Sequence, residues 1–104
     1  MKHNKLAIFE GTMCCDSGVC GAEPDIILVE FGDTLKKLKN DFPDLVIQRA
    51  NMSHSLDVFR QNMDVLMMIK KEGIGILPMI QIDGVVFSKK RYPKYAELKK
   101  ALEA

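Results

Sequence analysis

Two apolar runs, Leu77-Pro78-Met79-Ile80-Gln81-Ile82 and Val85-Val86-Phe87, flank the dipeptide Asp83-Gly84. Asp-Gly in that setting is the strongest short-range signal for a β-hairpin, because the two-residue turn that matches strand twist needs positive φ at both central positions. One antiparallel pair is thereby placed, and the rest of the chain must cover it. Leu6-Ala7-Ile8-Phe9 reads as a further buried strand and Leu45-Val46-Ile47 as another. Between these two, Leu28, Phe31, Leu35, Leu38 and Phe42 recur at spacings of three and four, with Lys36, Lys37 and Lys39 on the opposite face of the predicted helix. Pro24 suits the first residue of that helix and Pro43 its end. Ser53 to Glu72 also reads as helical, interrupted near Asn62 and ended by Gly73 and Gly75. Pro93 opens a last helix with Tyr95, Leu98 and Leu102 as its stripe. The predicted order is β-α-β-α-β-β-α. A helical crossover makes the first two strands parallel.

A chain of 104 residues is expected to be one domain, 1–104, with no linker or internal repeat to divide it. With 47% hydrophobic and 28% charged residues it has an ordinary globular composition, and a net charge of +1 creates no global field for nucleic acid or an acidic membrane. The apolar run Leu6 to Phe9 is too short for a secretory signal, and no run approaches a membrane span. An odd number of cysteines, with no disulfide partner elsewhere, fits a reducing compartment. The expected location is cytoplasmic, with no membrane partner.

All three cysteines fall within seven residues, Cys14-Cys15-Asp16-Ser17-Gly18-Val19-Cys20, on a polar stretch running from Gly11 to Glu23. Connections of this length in compact domains tend to carry function. Three thiols within reach of one another can close on a single soft ion. The bland alternative is a set of idle or buried thiols. A redox alternative is thioredoxin-like disulfide exchange, but such enzymes use Cys-x-x-Cys and no pair here has that spacing. Of the two histidines, His3 is on the order of 20 Å from the cysteines along the first strand. His54 follows the second strand, and parallel strands set their carboxyl ends on one edge, so it is the better-placed fourth donor, and a weak one. A histidine in that position is more commonly a solvated loop residue. Met63, Met67 and Met68 have the spacing of core filler in an apolar helix face, and Met13 stands next to Cys14 as a further contact. Lys89-Lys90-Arg91 with Lys94, Lys99 and Lys100 is a local basic cluster, ordinarily a solvated face, that suits an acidic partner or DNA phosphates. No helix-turn-helix or phosphate-cradling glycine loop is recognisable.

The strand order, the cysteine segment after the first strand and the proline opening the third resemble the thioredoxin fold: α/β, with a four-stranded mixed sheet and helices on both faces. More specifically, Phe9-x4-Cys14-Cys15-x4-Cys20-Gly21, Leu77-Pro78 before Asp83-Gly84, and Arg91-Tyr92-Pro93 resemble the ArsD family of arsenical-resistance proteins. The resemblance implies trivalent arsenic or antimony held by Cys14, Cys15 and Cys20 as cargo or effector. It implies no required cofactor and no catalytic residue. It implies delivery to the ATPase subunit of an arsenite efflux pump, weak operator DNA binding as a repressor, and a homodimer. Pro78 follows the pattern of the cis-proline that faces the active loop in thioredoxin-like folds, where it would shape the loop rather than bind the ion. The further cysteine pairs that some family members carry near the C-terminus are missing here. Thiol-disulfide oxidoreduction is the alternative function.

Overall fold

The computed structural model describes residues 4–11, 26–53 and 55–103. Its elements are β1 (Lys5–Glu10), α1 (Ile26–Asp41), β2 (Val46–Asn51), α2 (Leu56–Gln61), α3 (Met63–Glu72), a single 3-10 turn (Ile74–Ile76), β3 (Met79–Ile82), β4 (Val85–Lys89) and α4 (Tyr95–Glu103). The strands form one sheet in the order β2-β1-β3-β4. β1 and β2 are parallel, joined across α1, while β1–β3 and β3–β4 are antiparallel. This is a thioredoxin-like α/β arrangement with helices on both faces.

Strand periodicity divides the core in two. Successive side chains of β1 point to opposite faces, and both faces are covered, so its central run Leu6 to Phe9 is apolar throughout. Leu6 and Ile8 meet Ile80 and Ile82 beneath Phe31 and Leu38 of α1 and Leu98 and Leu102 of α4. Ala7 and Phe9 meet Ala50 and Met79 beneath Phe59 of α2 and Val65 and Ile69 of α3. The Phe9 and Phe59 rings pack edge to face with centroids 5.4 Å apart.

The hairpin turn has φ of 51° at Asp83 and 84° at Gly84, the positive pair that the dipeptide predicts. The Asp83 carboxylate accepts the backbone N–H groups of Asn4 and Lys5 at 2.9 Å each, which ties the turn to the start of β1. The long helical stretch breaks at Asn62, whose side-chain amide donates to the Val58 carbonyl at 2.7 Å. Gly73 ends α3 at φ 91° and donates its N–H to the Ile69 carbonyl.

Several boundaries differ from expectation. β2 continues through Asn51, because its polar residues pair with β1 rather than ending the strand. β3 starts at Met79, two residues after Leu77, and α4 starts at Tyr95 rather than Pro93. The Lys94 N–H donates back to the Glu97 carboxylate at 2.8 Å, a contact of the capping-box kind that sets the helix start. The methionines are a clear correction. Met63 and Met67 are 58% and 65% exposed, and only Met68 packs against the core. Residues 65–69 are all apolar and occupy every side of a helix, so spacing could not choose the buried stripe, which is Val65–Ile69. No helix among the described residues is long and apolar enough to cross a membrane.

Candidate functional site

Cys14, Cys15, Cys20 and His54 lie outside the described residues, as do His3, Met13, Asp16 and Pro24. The described residues fix the edge from which those segments depart. β1 ends at Glu10 and Gly11 follows it, while α1 begins at Ile26. Glu10 is in register with Asn51 of β2, and the Met52 N–H donates to the carbonyls of Glu10 and Gly11 at 3.2 and 3.3 Å. The cysteine segment and the β2–α2 connection therefore leave the sheet at one edge.

Pro78 is at the same edge. Met79 pairs with Phe9, which sets the preceding residue, Pro78, beside Glu10, and the Leu77–Pro78 bond is cis. The Lys90 N–H donates to the carbonyls of Ile76 and Pro78 at 3.0 and 2.9 Å, pinning the end of the hairpin against this turn.

Beneath that edge is a buried ionic network that sequence reading missed. Glu10 follows the even-numbered side of β1 onto the α1–α4 face and is completely buried. Arg49 of β2 donates to both of its carboxylate oxygens, Nε to Oε1 at 2.5 Å and Nη2 to Oε2 at 3.1 Å. The Tyr92 hydroxyl donates to Oε2 at 2.5 Å. A carboxylate taken wholly out of water must be paired and hydrogen-bonded, and here a guanidinium and a phenol do so. The Phe31 ring closes the network, 5.5 Å from the Arg49 guanidinium and 4.7 Å from the Tyr92 ring. Burial and then the hydrogen bond to Glu10 push the Tyr92 phenol far above its ordinary range. Burial works against the Arg49 charge, yet the hydrogen bond and charge of Glu10 outweigh it and hold the guanidinium above its usual value. The signal that was available is Glu10 itself, an acid directly following the apolar run Leu6 to Phe9.

Outside this network a cleft of about 700 Å³ opens between α1 and the segment leading into α4. Phe31, Thr34 and Glu30 form one wall, Lys90, Arg91 and Lys94 the other, and Pro78 and Tyr92 also line it. Arg91 pairs with Glu97 at 2.9 Å. Tyr95 borders the cleft, donates its hydroxyl to Asp41, and carries Lys37 and Lys99 over its ring at 5.6 and 5.8 Å. Among the described residues no three His, Cys, Asp or Glu side chains converge as a metal cage.

The family model described as arsenical resistance operon protein ArsD matches residues 1–104. A Halobacterium salinarum protein named for the ArsD repressor of an arsenical resistance operon is 34% identical over 99 residues, covering 95% of this chain and 91% of the relative. An Escherichia coli arsenical resistance operon trans-acting repressor ArsD is 35% identical over 93 residues, 89% of this chain and 76% of the relative. The crystal structure of an arsenical resistance operon trans-acting repressor from Bacteroides vulgatus superposes with a TM-score of 0.83 at 25% identity, covering 96% of this chain and 92% of that one.

Proposed function

The chain belongs to the ArsD family of arsenical resistance operon proteins, and from that premise we propose that it binds trivalent arsenic or antimony through Cys14, Cys15 and Cys20. The ion is cargo for the ATPase subunit of an arsenite efflux pump and effector for a repressor of the chain's own operon. The repressor role follows the names of the relatives. The observation that carries the binding reading is the sequence: every cysteine of the chain lies within seven residues, just after the central strand.

The chemistry of the ion suits that set. Trivalent arsenic is soft, takes three ligands and directs a lone pair into the fourth position. Three thiolates complete it as a neutral species, whereas zinc with three thiolates is one ligand short and negatively charged. A neutral complex escapes most of the desolvation cost of a buried anion and needs no counter-ion on transfer. A free thiol of pKa near 8.5 is only about 3% ionised at pH 7, so with arsenite each sulfur–arsenic bond forms as an arsenic–hydroxyl bond breaks, the hydroxide leaving with the thiol's proton as water. Transfer proceeds by exchange: an incoming thiolate from the partner makes one bond to the ion as one of Cys14, Cys15 or Cys20 leaves and takes up a proton. Pro78, beside Glu10 at the same edge, shapes the segment and does not touch the ion. His54, three residues after β2 in the sequence, is at most a weak fourth donor. The expected assembly is a two-fold dimer.

Anaerobic titration of the reduced protein with arsenite tests the reading. One ion per chain, growth of sulfur–arsenic absorption and loss of all three free thiols are expected, and replacing any one cysteine by serine should weaken uptake. Undiminished uptake by a chain with all three replaced would refute it.

A further inference from the structure

Positive charge is concentrated at one end of the chain. Residues 89–103 contain six Lys or Arg and two Glu, a local net charge of +4, whereas the whole chain carries +1. The remainder is therefore net negative. The fold joins this segment to α1 in a single surface. Lys37 of α1 and Lys99 of α4 share the ring of Tyr95, and Tyr95 borders the cleft whose wall bears Lys90, Arg91 and Lys94. Five cations thus surround one tyrosine. Four carboxylates lie among them. Glu97 is taken by Arg91 and the Lys94 N–H, Asp41 accepts the Tyr95 hydroxyl and with Glu103 acts on the Lys99 charge, and Glu30 faces the cleft from α1. The ammonium groups of Lys90 and Lys94 have no ion-pair partner among the described residues.

We propose that this surface is where the chain meets duplex DNA, through phosphates rather than base edges. The proposal rests on the repressor reading above and assigns it a location. Two observations favour DNA over an acidic protein. The middle of the surface is an aromatic ring covered by two ammonium groups. Burying it under a protein would desolvate both, and protein interfaces are depleted of charge at their cores. Phosphate contacts are made wet and leave such groups partly hydrated. An ammonium over a ring also keeps its outward N–H groups free to donate. Furthermore, the sequence carries no recognisable helix-turn-helix or other base-reading element.

The test uses the full chain and two labelled duplexes of equal length, one from the promoter of the operon and one unrelated, followed by fluorescence anisotropy from about 50 to 200 mM salt. Two paired variants probe the surface, Lys37→Gln with Lys99→Gln and Lys90→Gln with Lys94→Gln. Lys70→Gln with Lys71→Gln on α3 removes the same charge from the other side of the sheet. Each surface pair should weaken binding to both duplexes at least about tenfold at low salt and reduce the salt slope by about 2, while the α3 pair should cost less than about threefold. Far-UV circular dichroism should show all variants folded, and arsenite uptake should be unchanged. Equal losses in surface and α3 pairs would overturn the location and leave the repressor reading standing. No binding of the unmodified chain to either duplex at low salt would overturn both. Surface variants that keep DNA but fail to engage the efflux ATPase would mark the face as a protein-docking surface and overturn the proposal.

Discussion

Replacing Glu10 by glutamine keeps the side chain's shape and removes its charge. The change strikes a group with no exposure, in contact with Arg49 at 2.5 and 3.1 Å and with the Tyr92 hydroxyl at 2.5 Å. Glutamine retains one acceptor oxygen but turns an amide N–H₂ toward groups that are themselves donors. Removing one partner of a buried pair costs about 3–5 kcal/mol, mostly because the other charge is left uncompensated. Two features place this case at the lower end. The Arg49 side chain keeps 16% exposure, and the Phe31 ring remains 5.5 Å from its guanidinium. The expected loss is therefore about 3 kcal/mol, or a fall in Tm of about 12–24 °C for a chain of this size. The chain has no tryptophan, so urea unfolding is best followed by far-UV circular dichroism, with the midpoint falling at unchanged slope. Arg49→Met and the double variant complete a cycle. The double variant should lose at least about 1.5 kcal/mol less than the two singles together, because it leaves neither charge buried alone. A Glu10→Gln variant within about 1 kcal/mol of the unmodified chain, with additive behaviour in the cycle, would refute the account of this network.

Other outcomes follow from the same geometry. Both tyrosines are raised above their ordinary value of 10.0, Tyr92 by burial and Glu10, Tyr95 by its hydrogen bond to Asp41. The folded state favours the protonated phenols, so this contribution is present below pH 10 and lost as pH rises beyond it. Absorbance at ~295 nm should show both titrating above 10 when native and near 10 in urea; a native midpoint at 10 for either would contradict the contacts. Glu97 is lowered below 4.5 by the Lys94 N–H and then Arg91, so its contribution is present above that pH and lost as pH falls through the folded value. Its carboxyl resonance should titrate below 4.5, and Arg91→Gln should move the midpoint up. Gly84→Ala meets nothing within 4 Å but must hold φ at +84°, so it should cost about 1 kcal/mol without disrupting the hairpin. A neutral effect in urea unfolding would show that the turn relaxes.

Features carried by near neighbours in the chain were legible before any coordinates. The Asp83-Gly84 turn, the break at Asn62 and the α1 stripe each depend on residues within a turn or two, and local conformational preference decides them. The cysteine cluster is legible for the same reason, as chemistry written in seven consecutive residues. The orientation of α3 was not, because five apolar residues in a row fit every face, and only packing against Phe9 and Phe59 turns Val65 and Ile69 inward. Nor was the Glu10 network, whose members stand 39 and 82 positions apart. A glutamate ending a strand looks like a surface residue until Arg49 and Tyr92 arrive beside it. By itself the sequence determined the order of elements, the hairpin and the thiol set, since each follows from short-range sterics, periodicity or ligand chemistry. Only the tertiary structure decided which charge is buried and what compensates it, and how the cations of α1 and α4 come to share one ring. Burial and pairing are created when distant segments meet, and no local preference encodes them.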